Sequence, residues 1–234
     1  MRIDILSIFP EIFTPLYSSI IKRAQEKNIL CLKIWNLRDF ATGKHKKTDD
    51  QPYGGGKGMV FKCSPIFKGI KKIKQKNPEG WIILTSPQGK LFNQKTAEKL
   101  TKKKNIIIIC GHYEGIDERV KTIVDEEISI GDYILTGGEL PAMVIVDTIT
   151  RLLPGVLQEE SLKHESFTNY LLDWPCWTRP QVYKNMRVPK ILLSGDHKKI
   201  EQWKIKKSIE ITKIKRPDLY RLYSKNAEKP IKES

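Results

Sequence analysis

The chain has 234 residues, 39% hydrophobic and 9% aromatic, with 42 Lys and Arg against 27 Asp and Glu, a formal charge of +15. A chain of this length buries a core without disulfides or metals, in one large domain or two smaller ones, and its composition excludes global disorder. The basic excess favours a polyanionic partner, most commonly nucleic acid, although a solvated lysine surface explains the same count.

Taken in order, residues 2–8 (RIDILSI) read as a strand closed by Phe9-Pro10. Charges at Arg2 and Asp4, with no long apolar stretch behind them, argue against a signal peptide. A helix is predicted around residues 15–27, and the alternation of Leu30, Leu32 and Ile34 predicts a strand over 29–36. Residues 37–58 form a long polar loop ending in GGGKG, with the basic run KHKK at 44–47. Ser64-Pro65 reads as a helix cap followed by proline at the first helical position, opening a helix to about Lys76. WIILT is a buried strand, residues 93–104 a Lys-rich helix, and IIIIC the next strand. DERV starts a short helix and EEISI is another strand. ELPAMVIVDTITRLL reads as a buried helix, because apolar residues cover most of its faces. Strands alternating with helices predict an α/β domain with a mostly parallel sheet, here residues 1–160. Residues 161–170 lie in a polar linker, and residues 171–234 form a smaller domain rich in aromatics, prolines and basic helices. Ser194 is placed to cap its long helix, RPDLYRLY is the last one, and the tail beyond is expected to fray.

No apolar run approaches the roughly 18 residues of a membrane span, so no membrane partner is expected. Cys31, Cys63, Cys110 and Cys176 have no CxxC pairing and are expected as packed thiols of a cytoplasmic protein. The four histidines form no HxxxH pair, so no zinc site is expected, and no GxSxG nucleophile motif appears.

Three apolar runs end in glycine-bearing loops: SPQG at 86–89, CGHYEG at 110–115 and GDYILTGG at 131–138. Ligand sites of open α/β sheets lie at such carboxyl ends of strands, and glycine lets backbone approach a ligand closely. The pattern predicts a small-molecule pocket built mainly from main chain; three tight turns with packed Tyr113 and Tyr133 are the plainer alternative. PYGGGKGM, residues 52–59, lacks the spacing of a phosphate loop or a dinucleotide fingerprint and reads better as a glycine hinge over a site. Glu114 and Glu139 lie in or beside the glycine loops, and Glu165 lies in the linker.

These stretches resemble the bacterial tRNA (guanine-N1)-methyltransferases of the TrmD family. The resemblance runs in order through IFPEIF (8–13), PYGGGKGM (52–59), SPQG, CGHYEGIDERV (110–120), SIGDYILTGGELPAM (129–143), RLLPGV (151–156), ESF (165–167), LLDWPCWTRP (171–180), VPKILLSGDH (188–197) and KRPDL (215–219). CGHYEG together with SIGDYILTGGELPAM is its most specific part. The resemblance implies a SPOUT-type α/β domain with a deep trefoil knot, a small helical C-terminal domain that grips tRNA, and a homodimer with shared active sites. It implies methyl transfer from S-adenosylmethionine to N1 of the guanine immediately 3′ of the anticodon. For the cofactor it implies Ser86, Pro87, Gly111, Tyr113, Gly115, Ile130, Gly131, Asp132, Tyr133, Ile134, Leu135, Gly137, Gly138 and Pro141. Arg151 takes the role of the guanidinium that stabilises charge on guanine, and Glu114 that of a hydrogen-bond partner for guanine. The base of the family is an aspartate before Ser-Phe, where this chain has Glu165. Lys198, Lys199, Lys204, Lys206 and Lys207 are expected on the tRNA-facing helix. Some family members use Mg²⁺, for which the sequence identifies no ligand set. The alternatives are a methyltransferase of this fold acting on another RNA, and a catalytically inactive RNA-binding relative.

Overall fold

A computed structural model describes residues 1–227. The chain divides into two compact units, Met1–Leu157 and the segment from Gln158 onward. The strands of the first unit are β1 (Arg2–Ser7), β2 (Cys31–Asn36), β3 (Asp49–Asp50), β4 (Val60–Phe61), β5 (Trp81–Leu91), β6 (Asn105–Cys110) and β7 (Glu126–Ser129). Five of them form one sheet in the order β2-β1-β6-β5-β7, every neighbouring pair parallel. β3 and β4 form a small antiparallel pair. The helices are α1 (Ser19–Glu26), α2 (Cys63–Lys74), α3 (Gln94–Thr101) and α4 (Glu139–Arg151).

The run of four isoleucines shows why the sheet is central. Successive strand side chains point to opposite faces. Ile106 and Ile108 therefore join one core layer with Ile3, Ile5 and Ile83, while Ile107 and Ile109 join the other with Ile82 and Leu84. Ile21, Ala24, Leu100 and the α4 residues Ala142, Ile145, Val146 and Ile149 cover the first layer. Ile66, Ile70 and Ile73 of α2 cover the second. A parallel sheet covered on both faces needs continuous apolar strands, which is what IIIIC and WIILT supply.

A buried carboxylate at Asp4 interrupts the core. Asp4 is fully buried and accepts hydrogen bonds from Arg2 Nε at 2.7 Å, Arg2 Nη2 at 2.9 Å, Trp35 Nε1 at 2.7 Å and Asn77 Nδ2 at 2.9 Å. It ties β1 to β2 and to the turn after α2. Removing one partner of such a group leaves the others unpaired, at a cost of about 3–5 kcal/mol when both ions are buried. Arg2 keeps 23% of its side-chain exposure, so the lower figure applies. Asp4→Ala is expected to destabilise the first unit by about 3 kcal/mol in urea unfolding, and a loss under about 1 kcal/mol would refute the hub.

The structure corrects several local expectations. The helix expected around 15–27 is a 3-10 segment, Pro10–Tyr17, followed by α1. Pro15 lies inside that segment, and proline removes a donor that a continuous α-helix needs. The helix expected from Ser64 begins at Cys63 with Lys62 at the cap position and no side-chain cap bond. Pro65 stands within the first turn, whose N–H groups have no intrahelical acceptor anyway. α4 is buried on one side only: Leu140 and Val144, one turn apart, are exposed. Among the cysteines only Cys110 is fully buried, and burial pushes its thiol pKa well up. Cys63 is half-buried, and Cys31 and Cys176 are exposed.

The second unit contains α5 (Glu159–Lys163), a 3-10 turn at Thr168–Tyr170, a hairpin of β8 (Val182–Tyr183) and β9 (Met186–Arg187), α6 (His197–Lys215) and α7 (Pro217–Ala227). Leu172 N donates to Thr212 Oγ1 at 2.8 Å, fastening the aromatic segment to α6. The cap of α6 is Asp196, whose Oδ1 accepts from Lys199 N at 3.1 Å. Ser194, the expected cap, instead accepts from Asp196 N at 3.2 Å and shapes the turn before the helix. The expected fraying of the tail falls on residues 228–234, outside the described residues.

Candidate functional site

The first glycine loop is an insertion within a single strand. β5 pairs with β7 up to Thr85 and again from Lys90, and Ile128 is the partner of both. Residues 86–89 are therefore looped out between two paired segments. At Gly89 a Cβ would lie within 3.0 Å of the Glu127 and Ile128 backbone, so only glycine lets the strand return to its partner. Ser86 Oγ accepts from Gln88 N at 3.1 Å and shapes the loop.

The second loop follows β6. Gly115 N donates to His112 O at 3.2 Å, and Tyr113 sits at φ 58°, a left-handed value that bulky residues rarely adopt. Glu114 N donates to Met59 O at 3.1 Å, and a Cβ on Gly58 would collide with the Glu114 side chain. The GGGKG segment is thus packed against the second loop, not merely hinged above it.

The third loop, after β7, closes on the second. Gly138 N donates to Gly111 O at 2.7 Å, and His112 and Gly137 form an antiparallel bridge. A Cβ on Gly138 would strike Thr85 Oγ1 and lie 2.8 Å from Gly111 N. The second and third loops therefore meet at glycines, and the first returns to β7 at one, because glycine allows backbone to touch backbone.

Between the loops lies a cavity of about 530 Å³. That is within the range of pockets that enclose a drug-sized ligand. Every residue expected at the cofactor lines it except Asp132, and Glu114 lines it as well. Lining residues missed by the sequence reading include Gln88, His112, Glu118, Lys121 and Thr136. Their signal was their place in or beside the glycine loops. Lys121 is engaged by Glu118 at 3.2 Å, Glu127 at 3.5 Å and Gln88 Oε1 at 3.2 Å, so its charge is not directed at a phosphate.

Arg151 and Glu165 belong to different units. Arg151 is the last residue of α4 and half-buried. A cation is favoured there by the helix dipole. Glu165 follows α5, is half-buried, and its carbonyl accepts from Thr168 N at 3.1 Å. The loop beyond it is tightly wound, with positive φ at Phe167 (77°), Asn169 (52°) and Tyr170 (63°). Backbone held in such regions costs roughly 1–3 kcal/mol per residue and clusters at functional sites. Asp173, which the sequence reading passed over, donates from its N–H to Ser166 Oγ at 3.0 Å. Burial raises the Asp173 carboxyl above its ordinary value; the Ser166 hydrogen bond opposes this and the charge of Glu165 adds to it.

Of the expected α6 lysines, Lys199 pairs with Asp196 at 2.9 Å and Lys207 with Glu210 at 2.6 Å. Lys204 pairs with Glu201 at 3.6 Å and lies 4.7 Å from the Trp174 ring centre. Lys198 and Lys206 are exposed.

A parallel α/β domain with a cavity between the glycine loops at its strand ends defines a ligand-binding α/β protein. The family model described as tRNA (Guanine-1)-methyltransferase TrmD matches residues 1–222. A tRNA (guanine-N(1)-)-methyltransferase of Dictyoglomus turgidum is 55% identical over 221 residues, covering 94% of this chain and 89% of the relative. Proteins of the same name from Carboxydothermus hydrogenoformans and Clostridioides difficile are 53% and 52% identical over 234 and 228 residues. The first alignment covers 99% of this chain and 92% of that relative, the second 94% and 98%. The chain belongs to the TrmD family.

Proposed function

We propose that this chain methylates N1 of the guanine immediately 3′ of the anticodon in tRNA, using S-adenosylmethionine. The observation that carries the reading is the cavity. The loops that spell the family's motifs converge on one pocket. A neutral adenine edge suits backbone donors and acceptors, and the lining directs no cation at a phosphate. When bound, S-adenosylmethionine supplies an electrophilic methyl group on a sulfonium.

The remaining chemistry falls to side chains. N1 of neutral guanine carries a proton, so its lone pair is not available for attack. The Glu165 carboxylate takes that proton as the N1–methyl bond forms and the sulfonium–methyl bond breaks. General-base help of this kind contributes about 10²–10⁴-fold. As the proton leaves and before the methyl bond is complete, negative charge develops on the neighbouring carbonyl oxygen, and the fixed guanidinium of Arg151 stabilises it. Glu114 offers guanine a hydrogen bond from the second loop. Among the described residues no group of three or more His, Cys, Asp or Glu is placed to hold a metal ion, so we assign Mg²⁺ no residues.

The same reading includes the trefoil knot and a homodimer with shared active sites. Support for the knot is the passage of the third loop against Thr85 and Gly111. Support for the dimer is the exposed apolar pair Leu140 and Val144 on α4, which water disfavours. The second unit grips tRNA through exposed lysines of α6, the work of a cytoplasmic enzyme, and no helix among the described residues is long and apolar enough to cross a membrane.

The deciding experiment incubates the protein with labelled S-adenosylmethionine and unmodified tRNA carrying two guanines at the relevant positions. Label is expected in 1-methylguanosine after digestion. Label in another nucleoside would redirect the reading to a different RNA target, and none at all would make the chain an inactive relative.

A further inference from the structure

We propose that Glu139 is a positioning residue of the cofactor cavity, fixing the His112 ring with its proton on Nδ1 and leaving Nε2 to accept a hydrogen bond from the cofactor. The inference rests on the cofactor reading above. Glu139 opens α4 yet is only 3% exposed. A buried carboxylate is costly unless it is hydrogen-bonded. Its Oε1 accepts from Ser7 Oγ at 2.7 Å, and that serine oxygen accepts in turn from Phe9 N at 3.0 Å. The helix N-terminus favours its negative charge.

The second carboxylate oxygen faces the cavity wall. Oε2 lies 3.6 Å from His112 Nδ1, an atom sealed from solvent with no hydrogen-bond partner. A carboxylate accepts and does not donate, so it selects the Nδ1–H form of the ring. The 3.6 Å separation shortens to a hydrogen bond with a small ring rotation, as loosely aligned contacts do when a ligand closes a site. Phe9 and Tyr113 hold the ring edge-on, with centroids at 5.1 Å and 4.9 Å. Gly137 is part of the same device, because a Cβ there would strike both Glu139 Oε2 and His112 Nδ1. His112 itself lines the cavity and keeps 19% of its side-chain exposure. With Nδ1 turned inward, the imidazole has one acceptor left to offer. S-adenosylmethionine carries several donor groups, namely the adenine amino, the ribose hydroxyls and the amino-acid ammonium.

The test uses the full chain. Long-range ¹H–¹⁵N spectra of the wild type, with His112 assigned through His112→Ala, should show the Nδ1–H tautomer. An Nε2–H ring overturns the proposal, and this reading needs no folded Glu139 variant. Calorimetry should find S-adenosylmethionine binding weakened about tenfold in His112→Ala and in Glu139→Ala, the size of one hydrogen bond to a charged group. The double variant should be no more than about threefold weaker than either single, because both remove one interaction. Glu139→Gln, which keeps an acceptor, should recover most of the loss. Independent losses that multiply to about a hundredfold, or unchanged binding in His112→Ala, refute the positioning role. Failure of the wild type to bind S-adenosylmethionine would instead count against the cofactor reading.

Discussion

Glu165→Gln is expected to lower methyl transfer to guanine N1 by about 10²–10⁴-fold while S-adenosylmethionine still binds. The amide is nearly the same size as the carboxylate but cannot take a proton from N1. The cavity is lined by residues from Leu84 to Pro141, so a change at 165 leaves its wall intact. Single-turnover transfer at saturating cofactor and calorimetric binding separate the two effects. Near-normal transfer would remove Glu165 from the role of base. The point is sharp because the resemblance implies an aspartate where this chain has Glu165. Reference pKa values of about 3.9 and 4.3 make the two carboxylates almost equally basic, so reach decides. One added methylene moves the carboxylate by roughly an ångström, enough to cost about 100-fold if nothing compensates. The left-handed residues at 167, 169 and 170 wind this loop tightly, and that curvature supports compensation by the backbone.

Gly138→Val is expected to abolish measurable S-adenosylmethionine binding and to destabilise the first unit by about 3 kcal/mol or more. For a unit of this size that is a fall in Tm of roughly 6–12 °C. The added Cβ runs into Thr85 Oγ1 and the backbone of Cys110 and Gly111, where the second and third loops touch. The clash therefore drives the second and third loops apart. Calorimetry and thermal unfolding should move together. Lost binding with an unchanged Tm would favour simple blocking, and normal values in both would show that the loops tolerate separation.

β1, β5, β6 and β7 were legible because each is a short run ended by glycine or proline, β2 was legible from its alternation, and the division of isoleucines between two core layers follows from the strand period alone. Element starts were less legible. SGD offers two capping residues, and only the backbone turn at Ser194 decides that Asp196 caps α6. Leu140 and Val144 looked like core because apolar residues cover most of α4, yet one sheet face buries only one side of it.

The sequence by itself determined the α/β class, the three glycine loops, the family resemblance and the carboxylate at 165, since each is written in a contiguous stretch. Only the tertiary structure decided that SPQG is an insertion between two pairings with Ile128, that Gly58 packs on Glu114, and that Ser7, Glu139 and His112 share one buried contact. These features join residues far apart in the chain. Local propensity carries no record of them, because their geometry exists only once the parallel sheet has brought the loops together.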